Sequence, residues 1–197
     1  MQLTRGVAAA ALVLTFAAGL AHAELVTNGD FETGDLTAYT VDPAGIGYVG
    51  VDAESPYAGT YGAYFAGTDP NAPDTISQAL QTIPGATYRV SFFLQNEEAG
   101  QADNMFLARF ADVPLLDLSN AAAFGYRQFS SDVTATGSQS LLSFTGYNAP
   151  AAFDLDNVSV TSITSVVAVP EPGTAVLLGI GLAGLLHRRR RAAPFAG

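Results

Sequence analysis

No cysteine, no tryptophan and no lysine occur anywhere in these 197 residues. Without cysteine there are no disulfides, no thiol nucleophile and no thiolate metal ligand. Without lysine there is no Schiff-base chemistry. The only histidines are His22 and His187, each inside a terminal segment that reads as a sorting signal. The region between them therefore lacks a His base, which excludes the usual Ser–His triads as well as His/Cys zinc sites. Carboxylates, hydroxyls, tyrosines and the arginines Arg89, Arg109 and Arg127 are what remains for chemistry. Positive charge is scarce there too. Against those three arginines, residues 24–169 carry seventeen acids, a net charge of −14. Such a surface repels nucleic acid and anionic lipid, and suits divalent cations and neutral or cationic glycans.

The N-terminus has the layout of a secretory signal peptide, residues 1–23. Arg5 supplies the positive start, residues 7–20 are almost wholly apolar, and Ala21-His22-Ala23 is a small-x-small cleavage site. Glu24 then becomes the first mature residue, and export through the Sec machinery is expected.

The other end is tripartite. Val169-Pro170-Glu171-Pro172-Gly173 comes first, then an apolar run, then His187 and the cluster Arg188, Arg189, Arg190 and Arg191. The two prolines disfavour helix just before themselves and keep Glu171 in an extended, accessible stretch. The run from Ala175 through Leu177, Leu178, Ile180, Leu182, Leu185 and Leu186 is twelve residues long. A spanning helix wants about 20. The preceding Gly173-Thr174 and snorkelling arginines lengthen it, and its glycines suit a membrane segment. The arginines set the topology, leaving residues 192–197 as a cytoplasmic tail. This arrangement resembles the PEP-CTERM sorting signal, here residues 170–191. The resemblance implies a precursor held briefly in the inner membrane, then processed by an exosortase that recognises Pro170-Glu171-Pro172.

Between the signals lies one domain, residues 24–161, followed by a linker at 162–169. Short segments rich in Val, Tyr, Phe and Thr alternate with Gly, Pro, Asn and Asp, which predicts an all-β two-sheet sandwich. Strands are expected at 25–27, 47–52, 63–66, 75–81, 87–95, 104–110, 113–115, 126–134, 140–145 and 152–161. The clearest contains Tyr88-Arg89-Val90-Ser91-Phe92-Phe93-Leu94, preceded by the turn Ile83-Pro84-Gly85-Ala86. Residues 97–103 read as an acidic loop. Three stretches, Leu25-Val26-Thr27-Asn28-Gly29-Asp30-Phe31-Glu32, Pro84-Gly85-Ala86-Thr87-Tyr88 and Phe153-Asp154-Leu155-Asp156-Asn157-Val158-Ser159-Val160, occur in an order that resembles the galactose-binding-like jelly rolls, carbohydrate-binding modules included. One departure is that Tyr39 stands where the family often has tryptophan.

Three kinds of site follow. The resemblance implies a structural calcium, with Glu32 and Asp156 as the best matches. Asp30 and Asp154 are further candidates, because the first and last strands of such a fold adjoin and hard oxygens suit the ion. The competing reading makes these acids solvated turn residues and Asx caps. A glycan face is the second, drawn from Tyr39, Tyr48, Tyr57, Tyr61, Tyr64, Tyr126 and Tyr147 with Gln95, Asn96 and Arg127. The competing reading packs those rings with only their hydroxyls at the rim. A carboxylate-pair glycoside hydrolase is the third, and no motif singles out its pair. Asn157-Val158-Ser159 also spells a glycosylation sequon. The sequence thus points to a non-catalytic cell-surface or extracellular-matrix protein, with an exopolysaccharide-binding module as the alternative.

Overall fold

The computed structural model describes residues 23–42, 48–97 and 103–163, all within one unit, Met1–Thr164. The cleavage residue Ala21, the sorting motif, the apolar anchor and the arginine cluster lie outside the described residues, as do the centre of the acidic loop and most of the linker. Among the described residues there is no helix, and none therefore long and apolar enough to cross a membrane.

Among the described residues ten strands build two antiparallel five-stranded sheets. In chain order they are β1 Thr40–Asp42, β2 Val49–Asp52, β3 Gly62–Phe65, β4 Asp74–Gln81, β5 Thr87–Asn96, β6 Met105–Phe110, β7 Val113–Ser119, β8 Phe124–Thr134, β9 Gln139–Tyr147 and β10 Phe153–Ser162. One sheet runs β2-β3-β10-β5-β8, the other β1-β4-β9-β6-β7. This is the expected sandwich. Its cause is the period-2 pattern: along β5, Tyr88, Val90, Phe92 and Leu94 are buried, while Arg89, Ser91, Phe93 and Gln95 point to the opposite face. The inner layer is phenylalanine-rich, with Phe65, Phe92, Phe106, Phe144 and Phe153 in tilted or edge contacts at 5.2–6.2 Å. Burial of these rings is what offsets the absence of disulfides.

Two expectations need correction. Residues 25–27 are not a strand. Only an isolated bridge, Glu24 to Thr161, and one bond from the Leu25 amide to the Val160 carbonyl lie there. The Gln78 side chain takes the backbone N–H and C=O of Thr27, and the Glu24 carboxylate accepts from the Val26 and Val160 amides, so side chains replace a ladder. Conversely, Thr40–Asp42 forms an edge strand where none was expected. The remaining strands fall where expected, with β7 reaching Ser119 rather than residue 115. The first and last segments of the described domain do adjoin, since Val158 donates to the Gly29 carbonyl. Asn157 adopts φ 48° inside the irregular step of β10 between Asp156 and Ser159.

Candidate functional site

The outer face of the β2-β3-β10-β5-β8 sheet is assembled by register. Residues directly opposed share a face, so Gly50, Tyr64, Asp154 and Gln95 form one row across it. Asp156, Phe93 and Gln128 form the next, followed along β5 and β8 by Ser91 with Ser130 and Arg89 with Asp132. Gly50 is glycine because the Tyr64 ring lies where its side chain would be, with the hydroxyl 2.7 Å from that position.

Asp154 and Asp156 point outward from β10 yet are buried. The cause is the connection between β2 and β3, which lies over this face. Its Tyr57 and Ala58 amides donate to Asp156 Oδ2 at 2.9 and 3.0 Å. Its Thr60 and Tyr61 amides donate to Glu32 Oε1 at 2.7 and 2.9 Å. Ser55 donates to Glu97 at 2.7 Å, and the Tyr126 hydroxyl donates to the Ser55 carbonyl at 2.5 Å. The Tyr57 ring is thereby laid flat on Phe93, centroids 3.7 Å apart and planes 13° apart, with Tyr126 edge-on at 5.3 Å. Tyr57 remains 43% exposed. Along β5, a depression of about 400 Å³ lined by Gln95, Asn96, Glu97 and Phe124 lies to one side of Phe93. Another of about 510 Å³, lined by Ser91, Gln128, Ser130 and the Arg89–Asp132 pair, lies to the other. The outcome is a strip in which an exposed ring stack separates two polar hollows.

Electrostatics follow from that packing. Burial pushes the Asp154 carboxyl up to about 7; the hydrogen bond from Gln95 (2.9 Å) opposes this, and Glu97, Asp52 and Glu54 add to it. Burial also raises Asp156, against the pull of its three amide donors. Burial, then the surrounding acids, holds the Tyr126 phenol well above its ordinary range. Glu32 is lowered by the Tyr61 and Thr60 amides.

The seven candidate tyrosines divide accordingly. Tyr57 and Tyr126 meet on the strip. Tyr39 is mostly buried, stacks on Phe31 and is raised by burial, while Tyr147 is packed inside. Tyr61 lies against Gly34 and Tyr64 against Gly50. Tyr48 is exposed on its own. Gln95 reaches the strip but is held by Asp154. Asn96 is buried and bonds the Ala121 and Ala122 carbonyls, and Arg127 sits over the Phe124 ring at 4.4 Å. Phe93 was not among the candidates. Its signal was present, as an aromatic at an outward position of β5. Of the four calcium candidates, Glu32 and Asp156 converge on the 57–61 segment. Asp30 lies in an exposed turn, accepting the Glu32 amide at 3.4 Å, and Asp154 belongs to the neighbouring row. Among the described residues no three acids are grouped to hold a metal.

Comparison with solved structures finds the two-sheet β-sandwich of the described domain in several of them. It is similar to the CBM22-1 xylan-binding domain of Paenibacillus barcinonensis Xyn10C, with TM-score 0.52, 22% identity, 75% of this chain and 99% of that one covered. It is also similar to TmCBM61, solved with β-1,4-galactotriose, with TM-score 0.51, 14% identity and 70% and 97% covered. The K3 adhesin domain of Lys-gingipain from Porphyromonas gingivalis W83 is a third, with TM-score 0.51, 17% identity and 71% and 98% covered. At these identities the likeness is one of fold. No curated protein matches the chain in sequence. Residues 168–191 match the PEP-CTERM protein-sorting motif, which marks the chain as an exported precursor sorted by that route.

Proposed function

We propose that this chain is an exported, non-catalytic surface or matrix protein whose sandwich binds exopolysaccharide along the Tyr57–Phe93–Tyr126 strip. The observation that carries the reading is the ring stack itself: an exposed tyrosine fixed flat by its neighbours, between two hollows lined with hydroxyls and amides. Sugar rings present apolar C–H faces that stack on such aromatics, while their hydroxyls need the flanking donors and acceptors. The rings are already held in place, so little ordering is lost on binding. Asp52, Glu54, Glu97 and Asp154 surround the strip. The expected ligands are therefore neutral or amino-sugar polymers, with polyuronates repelled. The carboxylates support a non-catalytic role. Asp154 and Asp156 sit side by side on one strand, bonded to Gln95 and to backbone amides, rather than across a cleft.

Glu32 and Asp156 are the residues that would hold a structural calcium, and the ion would pin the connection that carries Tyr57. Processing by an exosortase at Pro170-Glu171-Pro172 would then release the body to the cell surface or matrix. The test is affinity electrophoresis of the detergent-purified full chain through gels containing xylan, galactan, chitosan or polygalacturonate. Retardation by a neutral or amino polymer, weakened about tenfold by Tyr57→Ala, is expected from the loss of one stacking contact. Equal retardation of Tyr57→Ala would move the site off this strip, and retardation by polygalacturonate alone would overturn the charge argument.

A further inference from the structure

Away from the strip, at one end of the space between the sheets, the fold buries oxygen atoms that it leaves without donors. Asp74 opens β4 and faces inward with Ile76 and Leu80. It is fully buried. Its Oδ2 accepts only the Tyr48 amide at 3.2 Å, and its Oδ1 accepts nothing. Its cross-strand partner on β9 is Gly146, which contributes no side chain. Two residues further on is Asn148, also fully buried. The Asn148 Nδ2 donates to Asn96 Oδ1 at 2.7 Å and to the Ala152 carbonyl at 3.0 Å. Those two acceptors fix which way the amide points, and they leave Asn148 Oδ1 without a partner. Gly67 links the two residues. Its carbonyl accepts the Asn148 amide at 3.1 Å, and a side chain on it would lie 3.2 Å from Asp74 Oδ2.

A buried carboxylate needs a counter-charge or several donors. The described residues supply no counter-charge here. The chain has no lysine, and each arginine among the described residues is occupied elsewhere: Arg89 by Asp132, Arg109 by the Asp112 carbonyl and Arg127 over Phe124. We infer that Asp74 Oδ1 and Asn148 Oδ1 hold a hard cation of the calcium type. The donor set is oxygen only, with no histidine or cysteine among the described residues, which disfavours zinc and other transition metals. With one carboxylate and one amide oxygen, carbonyls and water complete the shell. The ion ties the start of β4 to the residue that follows β9 and, through Asn148 and Asn96, to the other sheet. It shares no residue with the Glu32–Asp156 pair.

The test counts calcium bound per chain by equilibrium dialysis of the detergent-purified full chain, after chelation. Asp74→Asn is expected to lose one bound ion and to melt lower than the wild type in calcium. Glu32→Gln is expected to keep the Asp74 ion, so the two sites are told apart. The proposal is overturned if Asp74→Asn binds as many ions as the wild type, or if neither binds any. It is overturned equally if Asp74→Asn melts higher and ignores calcium, the result expected where the space holds a buried water only. Should Asp74→Asn fail to fold, the count on Glu32→Gln decides the matter. That variant is expected to bind one calcium per chain with the Glu32 site removed, and a Glu32→Gln chain that binds none overturns the proposal.

Discussion

Asp154 shows how much one side chain's surroundings matter in a domain so poor in cations. It projects outward from β10 but is covered, 5% exposed, and its carboxyl is raised from 3.8 to about 7 by burial first. Gln95 opposes the rise through its hydrogen bond, and Glu97, Asp52 and Glu54 reinforce it. The folded state thus favours the neutral acid more than the unfolded chain does. The stability this group contributes is full below its ordinary value and is lost as pH rises through about 7. Asp154→Asn should therefore match the wild type near pH 4 and exceed it at pH 8 by roughly 2–4 kcal/mol. Urea unfolding across that range, in chelator so that no ion contributes, measures the gap. Parallel curves for the two proteins would mean that the carboxylate is solvated despite its cover.

At the scale of the element, the connection between β2 and β3 is what fixes an exposed ring stack on the outer face of the sheet. Gly59 sits at φ 73°, and a side chain there would also run into the Glu32 carboxylate, which caps the Thr60 and Tyr61 amides. Gly59→Ala meets both obstacles and should cost about 1–3 kcal/mol, read as a lowered urea midpoint, with polysaccharide retardation weakened because Tyr57 loses its support. Unchanged retardation would mean that the ring does not depend on this strap.

This element also marks where the sequence stops being readable. The sandwich and most of its strands could be read because alternation is local: Val90, Phe92 and Leu94 inward, Arg89 and Ser91 outward. The same alternation put Phe93 outward, although only the fold shows what covers it. The strap depends on carboxylates 28 and 98 or 99 positions from the amides they bind, and no local pattern encodes such pairings. Residues 25–27 look like a strand for the converse reason. Their apolar pattern is right, but Gln78, 51 positions away, takes the Thr27 backbone groups.

For the whole molecule, the sorting segment and the proposed binding strip are written in different chemistry and should separate experimentally. The described body carries most of its acids on the surface, Asp74, Asp154 and Asp156 being buried, and has no lysine at all. The sorting segment matched at 168–191 concentrates four of the eight arginines beside an apolar run. Within that segment Glu171 is the single acid, between Pro170 and Pro172 in the sequence. Removing its charge should leave insertion intact, because the apolar run and the arginines are unchanged, while recognition fails. In cells, Glu171→Ala should accumulate as full-length precursor in the membrane fraction by immunoblot. The same variant, extracted in detergent, should be retarded by polysaccharide as strongly as the wild type. Normal processing of Glu171→Ala would remove the carboxylate from recognition. Loss of retardation would mean that the sorting segment and the sandwich are coupled, against the separation that their chemistry implies.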